Sequence, residues 1–141
     1  MSAGLLVDTG PIVAILLESD EHHAVCVEQL HHIRGPLLTC WPVITEAIWL
    51  LRTSPPAVRK LLTSFNGQPF ELLPLGEADL PGIAAILRKY EDLSIQLADA
   101  SLVHLANRQG VDTIFTLDHR DFGVMRLADG KKPRLVPSHK R

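Results

Sequence analysis

The chain has 141 residues, 46% of them hydrophobic, and a formal net charge of -2. Its length predicts one domain spanning residues 1–141, and its apolar fraction is enough for a real core and too high for a disordered chain. A sequence pI near 6.4 argues against a generally basic nucleic-acid binder, though not against an enzyme that holds nucleic acid through a metal and a local basic patch.

Short β-rich runs alternate with helical patterns. Leu5 to Val7 predicts a buried strand, and a short helix follows from Pro11, a residue suited to a first turn. Asp20 is placed to cap a helix running toward Ile33, which Gly35 ends. Pro36 to Cys40 predicts a second strand. Pro42 opens a helix that carries Glu46 and stops near Thr53, because Pro55 and Pro56 forbid continuation. A further helix runs from Pro56 to Phe65 and ends at Asn66-Gly67. Phe70 to Leu73 is a third strand, Glu77 to Tyr90 a helix, and Ile95 to Arg108 another, closed by Gly110. Val111 to Leu117 is a fourth strand and Arg134 to Val136 a fifth. This alternation predicts an α/β fold: a central parallel sheet of four to five short strands, flanked by helices on both faces. Such sheets bind ligands beyond the carboxyl ends of their strands.

Two cysteines, Cys26 and Cys40, make neither a disulfide framework nor a metal knuckle and are expected as core thiols in a reducing compartment, the cytoplasm. No cationic segment precedes the first apolar run, and Asp8 interrupts it, so no signal peptide is expected. No apolar stretch approaches the length of a membrane span. Arg126, Lys131, Lys132, Arg134, Lys140 and Arg141 form a basic C-terminal patch, which a solvated tail explains at least as well as an RNA contact.

Four acids stand in apolar surroundings. Asp8 lies between Leu5-Leu6-Val7 and a second apolar run from Pro11. Glu46 lies on the apolar stripe of its helix with Val43, Ala47 and Leu50. Asp99 shares a stripe with Ile95, Leu102, Val103 and Ala106, and Asp118 follows the fourth strand. A lone carboxylate facing a core is expensive to keep charged, so four of them make sense if they converge on a positive centre. A hard divalent cation, Mg²⁺ or Mn²⁺, suits oxygen ligands. Asp8 and Asp118 fall at strand ends. Glu46 and Asp99 are placed in the opening turns of helices, where the dipole tolerates negative charge.

The order and setting of these pieces resemble the PIN domain, the nuclease fold of VapC-type toxins in bacterial toxin–antitoxin pairs. The resemblance covers nearly the whole chain. It rests on Leu5-Leu6-Val7-Asp8-Thr9, Thr45-Glu46-Ala47, Leu97-Ala98-Asp99-Ala100-Ser101-Leu102, and Ile114-Phe115-Thr116-Leu117-Asp118-His119-Arg120-Asp121-Phe122. It implies a ribonuclease dependent on Mg²⁺ or Mn²⁺, an acidic cluster of Asp8, Glu46, Asp99 and Asp118, an antitoxin protein as partner, and a homodimer. Asp121 matches the last motif more weakly, since that position is not always a ligand. The expected chemistry is hydrolysis of an RNA phosphodiester by water, without a covalent intermediate, leaving a 5′-phosphate and a 3′-hydroxyl. Asp8 and Asp99 are the first choices as direct ligands, with Glu46 and Asp118 completing the set.

The same residues admit other readings. Asp8 could be a strand-end cap, but Thr9 can serve that role. Thr116 could orient a carboxylate or simply suit a strand. Asp92, seven residues before Asp99, reads better as a solvated loop acid, and Arg52 and Arg120 as surface arginines. His22, His23, His31, His32 and Cys26 suggest zinc, but an ordinary surface helix explains them better. A haloacid-dehalogenase-like phosphatase would want a second Asp two residues after Asp8, where Gly10 stands. A non-catalytic binding module on a degenerate nuclease fold would not need all four acids.

Overall fold

Leu5–Val7 form β1, and all three residues are buried. Successive strand residues face opposite sides of a sheet, so such a strand needs cover on both faces. The computed structural model, which describes residues 4–138, supplies it with seven α-helices among those residues. After β1 come α1 (Thr9–Leu16) and α2 (His23–His31), then β2 (Leu37–Thr39). Next are α3 (Trp41–Leu50), α4 (Pro55–Leu62) and β3 (Phe70–Leu72). Then α5 (Leu80–Lys89) and α6 (Leu97–Gln109) lead to β4 (Thr113–Phe115), and α7 (His119–Val124) leads to β5 (Arg134–Val136).

All strand pairings are parallel, in the order β3-β2-β1-β4-β5. The chain moves outward from β1 through β2 and β3, then returns to lay β4 on the other side of β1. The crevice beyond the carboxyl ends of β1 and β4 is therefore the topological switch point, where open parallel sheets place their ligands. The register sets Val7 opposite Phe115, and the Asp8 amide continues the ladder by donating to the Phe115 carbonyl at 2.8 Å. Helix α6 presents Ala98, Leu102, Leu105 and Ala106 to the core, a spacing of three and four residues that keeps them on one face.

Several boundaries differ from those predicted. Glu77 to Tyr90 is not one helix: a 3₁₀ turn, Glu77–Asp79, precedes α5. Pro81 explains the break, because its ring and missing N–H are tolerated only in a first turn. Helix α2 starts at His23, and Asp20 instead closes the preceding turn by accepting from the His22 amide. Helix α7 was not foreseen; six residues, HRDFGV, carry too little apolar period to announce a helix. Cys26 and Cys40 are free and buried, and burial pushes both thiols up to about 11, so they stay protonated. Of the basic C-terminal patch, Lys140 and Arg141 lie outside the described residues. Arg126 donates to the carbonyls of Gly123, Val124 and Met125. No helix among the described residues is long and apolar enough to cross a membrane.

Candidate functional site

Asp8 sits one residue past β1 and is the N-cap of α1, with only 7% of its surface exposed. Its Oδ1 accepts from the Thr9 amide at 2.8 Å, and its Oδ2 from the Thr116 hydroxyl at 2.8 Å. The capping role that Thr9 might have filled thus belongs to Asp8 itself. Thr9 instead donates its hydroxyl to Glu46 Oε1 at 2.7 Å, tying α1 to α3. Thr116, buried at the end of β4, also accepts the Asp118 amide at 2.9 Å. One hydroxyl therefore fixes Asp8 and the backbone of Asp118 together. Asp118 is the N-cap of α7, its Oδ1 accepting from the Asp121 amide at 3.0 Å. Asp99, in the first turn of α6, accepts from the Gln96 amide at 2.9 Å.

All four predicted acids line one cleft of about 560 Å³, and Asp121 joins them there. Thr9, Gly10, Ser94 and Leu117 complete its sides with Gln96 and Leu50. Among the described residues, no Lys, Arg or His lines it. One placement corrects the sequence reading. Glu46 is the sixth residue of α3, not a first-turn acid, so helix-dipole stabilisation does not account for it. Asp92 lies in an exposed 3₁₀ turn, Glu91–Leu93, cut off from α6 by the left-handed Ser94, and does not line the cleft. The roles of Thr9 and Gln96 escaped the sequence reading. A hydroxyl beside Asp8 was visible, but nothing in the order of residues pairs it with Glu46, 37 positions away. Gly10 lies against Leu117 and leaves no second acid of the phosphatase type after Asp8.

The electrostatics of the cleft are those of uncompensated negative charge. Burial pushes the Asp8 carboxyl up to about 7, with Asp99 and Glu46 adding repulsion, although the Thr116 and Thr9 hydrogen bonds pull the other way. Asp99 is also raised, first by burial and then by the charges of Glu46, Asp118 and Asp121. Both acids would return toward ordinary values beside a cation. The donors are all hard oxygens, the set that suits Mg²⁺, Mn²⁺ or Ca²⁺ rather than zinc. A carboxylate offers roughly four lone-pair sites, and the hydrogen bonds just described occupy at most two on any of these acids. The donor set thus fits a divalent ion. Among the described residues, no three His, Cys, Asp or Glu side chains are already drawn into a closed ligand sphere. Mutual repulsion of like charges keeps such groups apart. The histidine cluster shows no zinc geometry: Cys26 is buried, while His23 bonds the Ala14 carbonyl and His32 the Glu28 carbonyl.

Comparison with known proteins bears on the fold and the family. The PIN domain family profile matches residues 5–126. The chain is 30% identical over 135 residues to ribonuclease VapC26 of Mycobacterium tuberculosis, covering 94% of this chain and all of that protein. Among solved structures, the sarcin–ricin-loop-cleaving toxin VapC20 of M. tuberculosis superposes with a TM-score of 0.75 at 14% identity, over 82% of this chain and 91% of that one. A toxin–antitoxin complex from Klebsiella pneumoniae gives 0.68 at 14% identity, over 97% and 99% of the two chains. VapBC2 of Rickettsia felis, bound to promoter DNA, gives 0.63 at 13% identity, over 93% and 96%. These structural likenesses concern the fold; the profile and the sequence identity concern descent. The chain belongs to the PIN-domain family, among its VapC-type members.

Proposed function

We infer that the chain is a divalent-metal-dependent endoribonuclease and the toxin of a toxin–antitoxin pair. The observation that carries this reading is the meeting of five carboxylates at the switch point of the sheet, in a cleft that no cationic side chain lines among the described residues. Its similarity to a ribonuclease over nearly its whole length supports the substrate class, and the toxin–antitoxin assemblies among its structural neighbours support an antitoxin protein as partner. We take Asp8 and Asp99 as direct ligands, with Glu46 and Asp118 completing the set and Asp121 at its edge, and Mg²⁺ or Mn²⁺ as the ion. When bound, such an ion supplies the positive charge an anionic phosphodiester needs and makes water acidic enough to act near neutral pH.

The residues supply position. Thr116 holds Asp8 against the start of α7, and Thr9 holds Glu46 against α1, so two acids on different elements keep their relation without a flexible side chain between them. Water attacks phosphorus and the bond to the ribose 3′-oxygen breaks, leaving a 5′-phosphate and a 3′-hydroxyl. The functional unit is taken to be a homodimer acting in the cytoplasm, where its RNA is. Purified protein incubated with total RNA should produce discrete cuts with Mg²⁺ or Mn²⁺ and none in EDTA. Cyclic-phosphate ends, or cleavage that persists in EDTA, would overturn the metal-dependent mechanism.

A further inference from the structure

Both tryptophans of the chain lie on α3, and both are exposed: Trp41 at 56% and Trp49 at 63%. Eight residues of helix set them about 12 Å apart along its axis. With Thr45 and with Leu97 and Ala98 of α6 they line a groove of about 510 Å³. Two of its walls, Glu46 and Gln96, are also walls of the acid cleft. The Arg52 guanidinium lies over the Trp49 ring, 3.8 Å from its centroid, and donates to the Trp49 carbonyl at 2.8 Å, so a cation covers one face of that ring.

We propose that Trp41 and Trp49 form a stacking ledge for unpaired RNA bases next to the scissile phosphate, an assignment that rests on the ribonuclease reading. An RNA strand whose phosphate lies over the acids must leave the cleft through an adjoining hollow. Hollows that share walls with it among the described residues include this groove and one across Leu117 lined by His22, His32 and His119. Flat aromatic faces are found in the first. Among the described residues the acid cleft has no Lys or Arg on its walls to attract the backbone, so a contribution to affinity from beside it is needed. Base stacking on aromatic side chains needs no charge and tolerates any sequence. Bases in a duplex already stack on each other, so the ledge selects single strands and loops. Continuity with the acids favours the substrate over a protein segment as occupant, since whatever fills the groove abuts the reacting phosphate.

Because these are the chain's only two tryptophans, tryptophan emission reports on the ledge alone. On mixing with an oligoadenylate of about 12 nucleotides, within the site sizes of single-strand binders, emission should drop at once, and the same strand annealed to its complement should leave it unchanged. On whichever RNA the wild type cleaves, Trp49→Ala and Trp41→Ala should each raise KM about tenfold, more than they lower kcat. Trp49→Phe should stay near wild type, whereas Trp49→Leu, apolar but not aromatic, should behave like the alanine variant. Sedimentation should give all variants one oligomeric state. Unchanged emission with single strands, rescue by leucine as good as by phenylalanine, or an alanine variant that alters the oligomeric state overturns the ledge, the last by making the groove an interface between copies. If the wild type cleaves no RNA with any divalent ion, the ribonuclease reading fails, and the emission measurement still decides the ledge.

Discussion

Asp8 combines two duties that are usually separate. As an N-cap it accepts from the Thr9 amide, and as a buried carboxylate it bears the repulsion of Asp99 and Glu46. The cap alone does not need burial. Asp8→Asn keeps a cap of similar quality while removing a charge that the folded state resists, and Asp99→Asn likewise removes a charge while keeping an oxygen to accept from the Gln96 amide. Both variants should fold, with melting temperatures of the metal-free proteins at pH 8 no lower than wild type, and both should abolish cleavage. Near-native activity of either at saturating Mg²⁺ would disprove its place as a ligand. Thr116 is a second single-residue test. Thr116→Val keeps the shape but strips Asp8 Oδ2 and the Asp118 amide of their shared partner, which should cost about 1–3 kcal/mol. Activity should fall with it, and Thr116→Ser should restore both. If valine leaves the Mg²⁺ dependence of cleavage unmoved, the hydroxyl merely suits a strand.

At the scale of elements, what was legible followed from how far each signal depends on tertiary contacts. Apolar runs bounded by Gly and Pro located all five strands, and acids stranded in apolar stretches located the cleft, because both signals lie within a few residues of sequence. The 3₁₀ turn before α5 was latent in Pro81 and was missed because the apolar period runs straight through it. Trp41 and Trp49 were not legible as surface residues, since α3 is apolar nearly all round and only packing decides which face stays uncovered. The clamp between α5 and α6 was likewise hidden. Asp79, in the 3₁₀ turn, accepts from His104 and Arg108 of α6 at 2.8 and 3.0 Å, and a Cβ on Gly82 would lie 2.7 Å from the His104 ring. Glycine inside a helix normally costs about 0.5–1 kcal/mol against alanine. Here the clash, typically about 1–3 kcal/mol in a packed setting, should win, so Gly82→Ala should lower the melting temperature. A rise would mean that the His104 ring moves aside freely, and that the clamp does not fix α6, the helix that carries Asp99.

For the whole molecule, the acid cleft makes stability depend on pH in a direction that most carboxylates do not. Asp79, held well below the usual carboxylate range by the Gly76 amide and by His104, contributes stability that is present above pH 4 and lost only in stronger acid. Asp8 has the opposite sign. Its folded value near 7 exceeds its ordinary 3.8, so the folded state binds the proton more tightly than the unfolded chain does. The stability linked to that proton is complete below about pH 4 and is lost as pH rises through about 7. Asp99, also raised, acts in the same direction. Between pH 5 and 8 Asp79 stays ionised, so that window isolates the cleft acids from it. Every other ionisable group is common to the two proteins, so the comparison with Asp8→Asn subtracts it. In EDTA, the melting temperature of the wild type should fall from pH 5 to pH 8, and the fall should be shallower in Asp8→Asn. A divalent ion competes with the proton for the same oxygens, so Mg²⁺ should raise the melting temperature more at pH 8 than at pH 5, and hardly at all in the variant. Equal slopes for wild type and variant in EDTA would show that Asp8 is not the buried, repelled carboxylate of this cleft. An equal Mg²⁺ shift in both would place the ion elsewhere.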